Sequence, residues 1–191
     1  MSRFSIDIAN EQDRLPVDQD RLREVVERTL ELENVAAAEI GVAVLDDAAI
    51  HELNRRHLGH DYPTDVLSFL LERVDGRRSM VEGRTIDPQL STIDLQPSTI
   101  DYLEGEIVVS AEMAARRAAE FGWSPDDELV LYVVHGLLHL TGHDDGTEAE
   151  RARMRSRERE ILQTWGLSPR YDEGERGPPP RDDEGSTGGD S

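Results

Sequence analysis

Residues 128–145 read ELVLYVVHGLLHLTGHDD, and this run up to Leu140 is apolar on nearly every side of a helix. A helix with that pattern is buried in the interior of a protein. Its start is marked by Ser124, a preferred N-cap residue, and by Pro125 at the first helical position. We therefore predict a buried helix that ends near Gly142, where the chain can reverse.

Two histidines interrupt this apolar run. His135 and His139 are four residues apart, so both imidazoles project from one face of the helix at a spacing that suits a shared metal ion. A single histidine on an apolar helix is usually a hydrogen-bonded core residue. Two imidazoles on one buried face would be costly to leave without partners. The pair therefore favours a metal site.

Three polar residues follow the predicted turn at Gly142 and return towards the histidines. The resulting pattern, H-x-x-x-H-x-x-G-x-x-D, resembles the metzincin metal motif, in which the glycine brings a third ligand beside two helical histidines. We predict Asp145 as this third ligand and keep His143 as the competing choice. Asp144 is then a candidate to orient a ligand or to accept a proton.

The available side chains limit the metal and the reaction. The chain has no cysteine, so any transition metal must be held by histidine and carboxylate. Three protein ligands with an open fourth position are typical of a catalytic zinc site. Peptidases with the H-E-x-x-H motif carry a glutamate where this chain has Gly136, which disfavours a peptidase of ordinary mechanism.

The rest of the chain predicts an α/β fold. Strand patterns occur at 4–8, 39–45, 66–71 and 105–110, and helical spacing with capping residues occurs at 17–32, after Asp46 or Asp47, at 111–121 and from Thr147 to near Gly166. Arginines and glutamates alternate over 151–159, which favours a solvated, ion-paired face. We expect one domain with a mixed sheet of about four strands and the metal-binding helix buried against it.

Two segments fall outside this pattern. Between 73 and 103 the alternation is lost, and a Thr-Ile-Asp unit recurs every seven residues, starting at 85, 92 and 99. We interpret about 75–102 as a poorly ordered, duplicated insert, with a docking segment as the alternative. The catalytic domain then spans 1–170, and 171–191 forms a disordered acidic tail.

The formal charge of −20 argues against nucleic-acid binding, because phosphate contacts need clustered cations. Net charge is nevertheless a weak criterion here. All 21 basic residues are arginine, which suggests a compositional bias, and part of the acidity lies in the tail. The first residues lack the apolar run of a signal peptide, and no membrane-spanning stretch occurs, so we expect a soluble, cytoplasmic protein.

The chain resembles the YbeY family of metal-dependent endoribonucleases. The family motif H-G-x-L-H-L-x-G-Y-D-H is matched over 135–145 at all but the tyrosine and the last histidine, which are His143 and Asp145 here. Residues 53–69 are similar to the family segment L-N-x-x-x-R-x-x-D-x-P-T-D-V-L-S-F, with Leu58 in place of its arginine, and 105–110 resemble its G-[DE]-I-x-I-S strand. The resemblance covers roughly 5–167.

This resemblance implies a function and a substrate site. It implies a zinc-dependent, single-strand-specific endoribonuclease that acts in ribosomal RNA maturation and ribosome quality control, with precursor RNA and the small ribosomal subunit as partners and no DNA substrate. The metal ligands would be His135, His139 and Asp145, with Asp145 or else His143 replacing the family's last histidine. The substrate would contact Thr64, Asp65 and Ser68, and we hypothesise that Arg55 or Arg56 replaces the family's arginine, which falls on Leu58. A metzincin-like metallopeptidase and a non-catalytic ribosome-assembly factor are the alternatives, and a plain turn and core strand are the alternative for 63–69.

Overall fold

The computed structural model of the protein describes residues 2–76 and 99–171. Its strands are β1 (Phe4–Asn10), β2 (Ala38–Leu45), β3 (Val66–Asp75) and β4 (Ile100–Ser110). Its helices are α1 (Gln19–Leu32), α2 (Asp47–Leu58), α3 (Ala111–Phe121), α4 (Pro125–Leu140) and α5 (Glu148–Gln163). The four strands form one sheet in the order β1-β2-β4-β3, parallel except for β3, which runs antiparallel to β4. The predicted α/β fold with a mixed four-stranded sheet is confirmed.

Helix α4 lies in the main core and is buried as predicted. It packs against β3 and β4 and is flanked by α1, α3 and α5, so apolar side chains are needed on nearly all its sides. Ser124 caps the helix, because its side-chain oxygen accepts a hydrogen bond from the backbone amide of Asp127 at 3.1 Å. Apolar as α4 is, no helix within residues 2–76 and 99–171 has the length and hydropathy needed to cross a membrane.

Helix α2 covers a second, smaller core on the opposite face of the sheet. Side chains alternate between the two faces of a strand. Ile107 and Val109 of β4 therefore belong to the main core with α4, whereas Val108 packs with Ile50 of α2 and Leu67 of β3. Asp46 caps α2, accepting from the amide of Ala49 at 2.8 Å. Helix α4 thus packs on one face of the sheet, and α2 packs on the other face.

Several element boundaries differ from the prediction. Helix α1 begins at Gln19 with Asp18 as its cap, and not at Val17. Strand β3 continues to Asp75 and β4 begins at Ile100, so the ends of the predicted insert are strand. The third Thr-Ile-Asp unit enters β4 and places Ile100 in the core, so its assignment to a poorly ordered loop was wrong. The other units, and the predicted tail beyond Tyr171, lie outside the described residues.

Gly136 sits where α4 packs closely against the sheet. A Cβ atom at this position would lie 2.9 Å from Cγ2 of Ile107 on β4. We expect Gly136→Ala to destabilise the protein by up to about 2 kcal/mol, because an overpacking cost of about 1–3 kcal/mol is only partly offset by a gain in helix propensity of about 1 kcal/mol. Urea unfolding measures this. Gly41→Ala, whose new Cβ would meet its nearest atom at an ordinary 3.5 Å, is the control and should leave stability unchanged or raise it by up to about 1 kcal/mol. Equal stability of the two variants would contradict the prediction.

Candidate metal site

His135 and His139 form a pair on one face of α4. Their Nε2 atoms are 3.0 Å apart, and their rings meet edge to face with centroids 4.6 Å apart. Each side chain is about one quarter exposed, at 26% and 28%, although the residues around them on the helix are mostly buried. The two imidazoles are therefore the polar, accessible part of an otherwise apolar helix.

Gly142 turns the chain after α4. Its φ of +99° lies in the left-handed region, and a Cβ atom there would be 2.5 Å from Nη1 of Arg73 on β3. Arg73 could move away from a Cβ atom, but any side chain at this φ would strain the backbone, so glycine is the residue that suits the turn. The turn brings Asp145 back over the end of the helix. Its Oδ2 lies 4.0 Å from Nε2 of His135, and its Oδ1 lies 3.9 Å from Nε2 of His139.

The structure thus brings together the three residues that the sequence predicts as metal ligands. One nitrogen or oxygen from each of His135, His139 and Asp145 lies within 4.8 Å of the others, an arrangement that could hold a metal ion. Within residues 2–76 and 99–171, no other group of three or more such side chains meets this criterion.

The hydrogen bonds on the far sides of the rings test whether a cation fits. Nδ1 of His139 lies 3.2 Å from the backbone carbonyl of His143, which can only accept, so this nitrogen carries the hydrogen. Nδ1 of His135 donates to Glu158 Oε1 at 2.7 Å. In the neutral rings both Nε2 atoms then present lone pairs, and the third group facing them is the carboxylate of Asp145. Three acceptors within 4.8 Å of one another suit a bound cation.

Glu158 is the partner that sets the electrostatics of this pair. It is only 2% exposed. Burial raises the pKa of Glu158, but the hydrogen bond and charge of His135 outweigh burial and hold that pKa below its ordinary value. Burial lowers the pKa of His135, while the hydrogen bond and charge of Glu158 raise it overall. Burial lowers the pKa of His139, and repulsion by His135 in its protonated form lowers it further, so the neutral form of His139 is favoured.

His143 and Asp144 point elsewhere. Nε2 of His143 lies 2.9 Å from Oε2 of Glu33, just beyond the end of α1. The carboxylate of Asp144 accepts from the backbone amides of Asp145 and Gly146 at 2.7 and 3.2 Å, and so braces the turn. His143, the competing third ligand, therefore lies outside the group formed by the two helical histidines and Asp145.

Glu33 makes a network that fixes the far side of the turn. It is largely buried and accepts from His143 and, at 2.7 Å, from Nε of Arg157 on α5. Burial raises the pKa of Glu33, but the hydrogen bonds from His143 and Arg157 outweigh burial and leave that pKa below its ordinary value of 4.5. Its ionised form therefore stabilises the fold at pH values above 4.5, and this stabilisation is lost as the pH falls through the lowered pKa.

We expect Glu33→Gln to lower the free energy of unfolding at pH 7 by about 1–3 kcal/mol, because it removes the charge that pairs with Arg157 and His143. The difference from wild type should shrink as the pH falls below 4.5. Urea unfolding at several pH values measures both effects. Glu31→Gln is the matched control, since Glu31 is exposed and its ion pairs with Arg3 and Arg28 should be worth less than about 1 kcal/mol. A difference that stays constant with pH would contradict the assignment.

The candidate metal-ligand group, formed by His135, His139 and Asp145, opens into a cleft of about 680 Å³. It is lined by Asn54, His60, Tyr62, residues 64–68, Arg117, Phe121, Glu128, residues 131–132, His135, His139, Asp145, Arg151, residues 154–155, Glu158 and residues 170–171. Three predicted substrate residues, Thr64, Asp65 and Ser68, are among them. Arg55 and Arg56 are not brought to the cleft; they lie in the last turn of α2 and pair with Glu52 at 2.6 and 2.7 Å.

Two groups of cleft residues were missed by sequence reasoning. Glu158 was assigned to a solvated face because arginines alternate with glutamates around it. Its spacing from the buried Met154 and Ile161, four and three residues away, places it on the apolar face of α5 and could have revealed it. The arginines lining the cleft, at positions 117, 151, 155 and 170, come from separate parts of the chain. Only the tertiary structure brings them together.

Comparison with known proteins places this cleft in a family. The family model described as Endoribonuclease YbeY matches residues 7–166. The chain belongs to the YbeY family. The matched region contains both helical histidines, the turn at Gly142, Asp145 and Glu158, so the whole metal-ligand group lies within the part that defines the family.

Two curated YbeY relatives are similar to this chain over most of their length. A protein of Bacillus licheniformis named Endoribonuclease YbeY is 36% identical over 168 residues, covering 85% of this chain and 96% of the relative. A protein of the same name from Roseiflexus sp. strain RS-1 is 40% identical over 154 residues, covering 80% and 86%. A Thermotoga maritima protein with a determined solution structure is 25% identical, with a TM-score of 0.49 and coverage of 90% of this chain and 99% of that one.

Proposed function

We propose that this YbeY-family protein is a zinc-dependent, single-strand-specific endoribonuclease that matures ribosomal RNA and acts in ribosome quality control. The observation that carries the proposal is the convergence of His135, His139 and Asp145 at an open cleft, in a chain whose curated relatives are named Endoribonuclease YbeY. Their donor atoms lie close enough for one ion, and the cleft leaves room for a substrate beside it.

Zinc suits the donor set. Two imidazole nitrogens and one carboxylate oxygen are common zinc ligands, and three protein ligands leave a position for the reaction. When bound, a zinc ion would supply a Lewis acid that lowers the pKa of a coordinated water and polarises the scissile phosphate. Glu158 fixes the ring of His135 and directs its Nε2 towards the site, and the carbonyl of His143 does the same for His139.

Arginines on the cleft wall offer local positive charge in an acidic protein. Arg151 of α5 donates to the backbone carbonyl of Asp145 at 3.3 Å, so it stands directly beside the proposed zinc site. Arg155 lies one turn further along α5 and packs over the ring of Tyr171, 4.7 Å from its centroid. Arg117 and Arg170 complete this set. We assign these four arginines to the phosphates of the RNA, since guanidinium groups bind phosphate oxygens bidentately.

The opposite wall is formed by the start of β3. The carboxylate of Asp65 accepts from the amide of Val66 at 2.9 Å and from the Thr64 hydroxyl at 3.1 Å, which fixes it at the entrance of the strand. Ser68 lies further along the same wall. We assign Thr64, Asp65 and Ser68 to orienting the RNA or the attacking group. Only a longer RNA that reaches around α2 would contact Arg55 and Arg56.

The expected setting follows from this reaction. The substrate is precursor ribosomal RNA, the partner is the small ribosomal subunit, and the location is the cytoplasm, with neither a membrane nor DNA involved. The 2′-hydroxyl distinguishes RNA from DNA at such a site.

Both alternative functions are less well supported. A peptidase of the H-E-x-x-H type needs a glutamate at position 136, but Gly136 faces Ile107 and Val66 of the sheet, where a side chain does not fit. A purely structural metal in an assembly factor would be enclosed by protein ligands, whereas His135, His139 and Asp145 are partly exposed at the cleft.

Cleavage assays test the proposal directly. The purified protein, loaded with zinc, should cut a single-stranded ribosomal RNA fragment, leave a duplex and the DNA of the same sequence intact, and leave an unstructured peptide uncut. Activity should be lost with a chelator and return with added zinc. Peptide cleavage without RNA cleavage would favour the peptidase. If the His139→Ala protein folds and cells that carry it still mature their ribosomes, the assembly factor would be favoured.

A further inference from the structure

Two aromatic rings stack at the rim of the cleft, in the connection between α2 and β3. The rings of His60 and Tyr62 have centroids 5.3 Å apart and planes within 12° of parallel. Both residues line the same cleft as His135 and His139. Tyr62 is 45% exposed, so part of this aromatic surface is open to solvent in the cleft that also contains the proposed zinc site.

The protein holds this stack in place. Asn54 of α2 is only 1% exposed, and its Nδ2 donates to the backbone carbonyl of Tyr62 at 2.8 Å. Asp61, which separates His60 from Tyr62 in the sequence, pairs with His51 of α2 at 3.0 Å. The hydroxyl of Tyr62 and Nδ1 of His60 lie 3.4 Å apart. The connection is thus tied back to α2 at two points, and the rings do not need to be ordered when a ligand arrives.

We propose that the His60–Tyr62 stack binds an unpaired nucleobase of the RNA, next to the phosphate that is cleaved at the metal-ligand group. The inference rests on the proposed function and adds to it a base-binding subsite. A planar base extends an existing stack of two rings, and an exposed aromatic surface of this kind is how proteins bind single strands without reading their sequence.

The charge of the protein favours an uncharged contribution to RNA binding. A net charge of −20 opposes the approach of a polyanion, and four arginines in the cleft offset only part of this repulsion. Stacking is uncharged and therefore adds affinity that the overall field does not oppose. Bases inside a duplex already stack on their neighbours and present only their edges, so the platform selects single-stranded RNA.

The test compares binding by tyrosine variants of the full chain. The probe is a 2′-O-methyl single-stranded oligoribonucleotide that contains 2-aminopurine and is checked to remain intact. Tyr62→Leu should weaken binding about tenfold, as expected for loss of one base–aromatic stack, and should abolish the quenching of 2-aminopurine fluorescence. Tyr62→Phe keeps the aromatic ring and should retain both the wild-type affinity and the quenching of 2-aminopurine fluorescence. Tyr102→Leu is the matched control, a partly exposed tyrosine on β4 that does not line the cleft.

Cleavage kinetics give a second readout. For single-stranded RNA, Tyr62→Leu should raise KM about tenfold and change kcat by less than about twofold, since the stack binds the base and leaves the metal ligands in place. His60→Leu should act in the same direction and serves if Tyr62→Leu does not fold. Equal binding by Tyr62→Leu and Tyr102→Leu, with wild type still cleaving RNA, would overturn the base subsite alone. A wild type that neither binds nor cleaves single-stranded RNA would overturn the proposed function as well.

Discussion

Replacing His139 with alanine should remove the bound metal ion and almost all RNA cleavage. The imidazole contributes one of three donor atoms, and the two that remain cannot hold the ion firmly. Loss of a metal-based contribution worth several kcal/mol corresponds to a fall in kcat of about 1,000-fold or more. Mass spectrometry of the native protein measures the metal, and cleavage of single-stranded RNA measures the activity.

Parallel variants identify the third ligand. His135→Ala and Asp145→Ala should also lose the metal, whereas His143→Ala should keep close to one equivalent, because His143 is paired with Glu33 outside the ligand group. Circular dichroism checks that each variant is folded. Metal retained in Asp145→Ala but lost in His143→Ala would transfer the role of third ligand to His143. Wild type that binds no zinc, manganese or other divalent metal would refute the metal-dependent mechanism.

Replacing Glu158 with glutamine should weaken metal binding without removing it. Glutamine keeps the shape and can still accept from Nδ1 of His135, but the negative charge that strengthens this ring as a ligand is lost. Changes to such supporting residues lower metal affinity about 10–100-fold. Competition with a chelator of known affinity measures the change, and RNA cleavage at limiting zinc should fall in parallel.

Glu160→Gln is the control for this experiment. Glu160 lies on the same helix, two residues further along, and pairs with Arg157 at the exposed surface. Its replacement should leave metal affinity within about twofold of wild type. If the two variants have the same metal affinity, Glu158 serves only to fill a buried position, and the orientation of His135 must come from the packing of α4.

The parts of this structure that could be predicted are those encoded locally. The continuous apolar residues of α4 predict that the helix is buried, and Ser124 and Pro125 predict where it begins. Its two histidines at helical spacing predict the candidate metal site. The turn at Gly142 follows from a residue type that tolerates positive φ. Each of these signals lies within a few residues of the feature it predicts, so no knowledge of tertiary contacts was needed.

The parts that could not be predicted depend on distant residues. Ile100 sits inside a repeat that otherwise suggests an insert, and only pairing with Asp75 of β3 and a bridge to Val35, ahead of β2, make it part of a strand. Arg117 and Arg151 reach the same cleft from α3 and α5, although more than thirty residues separate them in the sequence. Arg55 and Arg56, chosen because they are near the family's arginine position, are instead held on α2 by Glu52.

The meeting of β3 and β4 has a consequence for the evolution of the chain. At the end of this strand pair, the amide of Gly76 donates to the carbonyl of Thr99 at 2.8 Å, so the two points where residues 77–98 leave and rejoin the sheet are already neighbours. Closing a longer connection between fixed ends costs only about 0.6 kcal/mol for each doubling of its length. A seven-residue unit can therefore be gained or lost there by duplication or deletion of the gene segment, while strand register and metal ligands stay where they are.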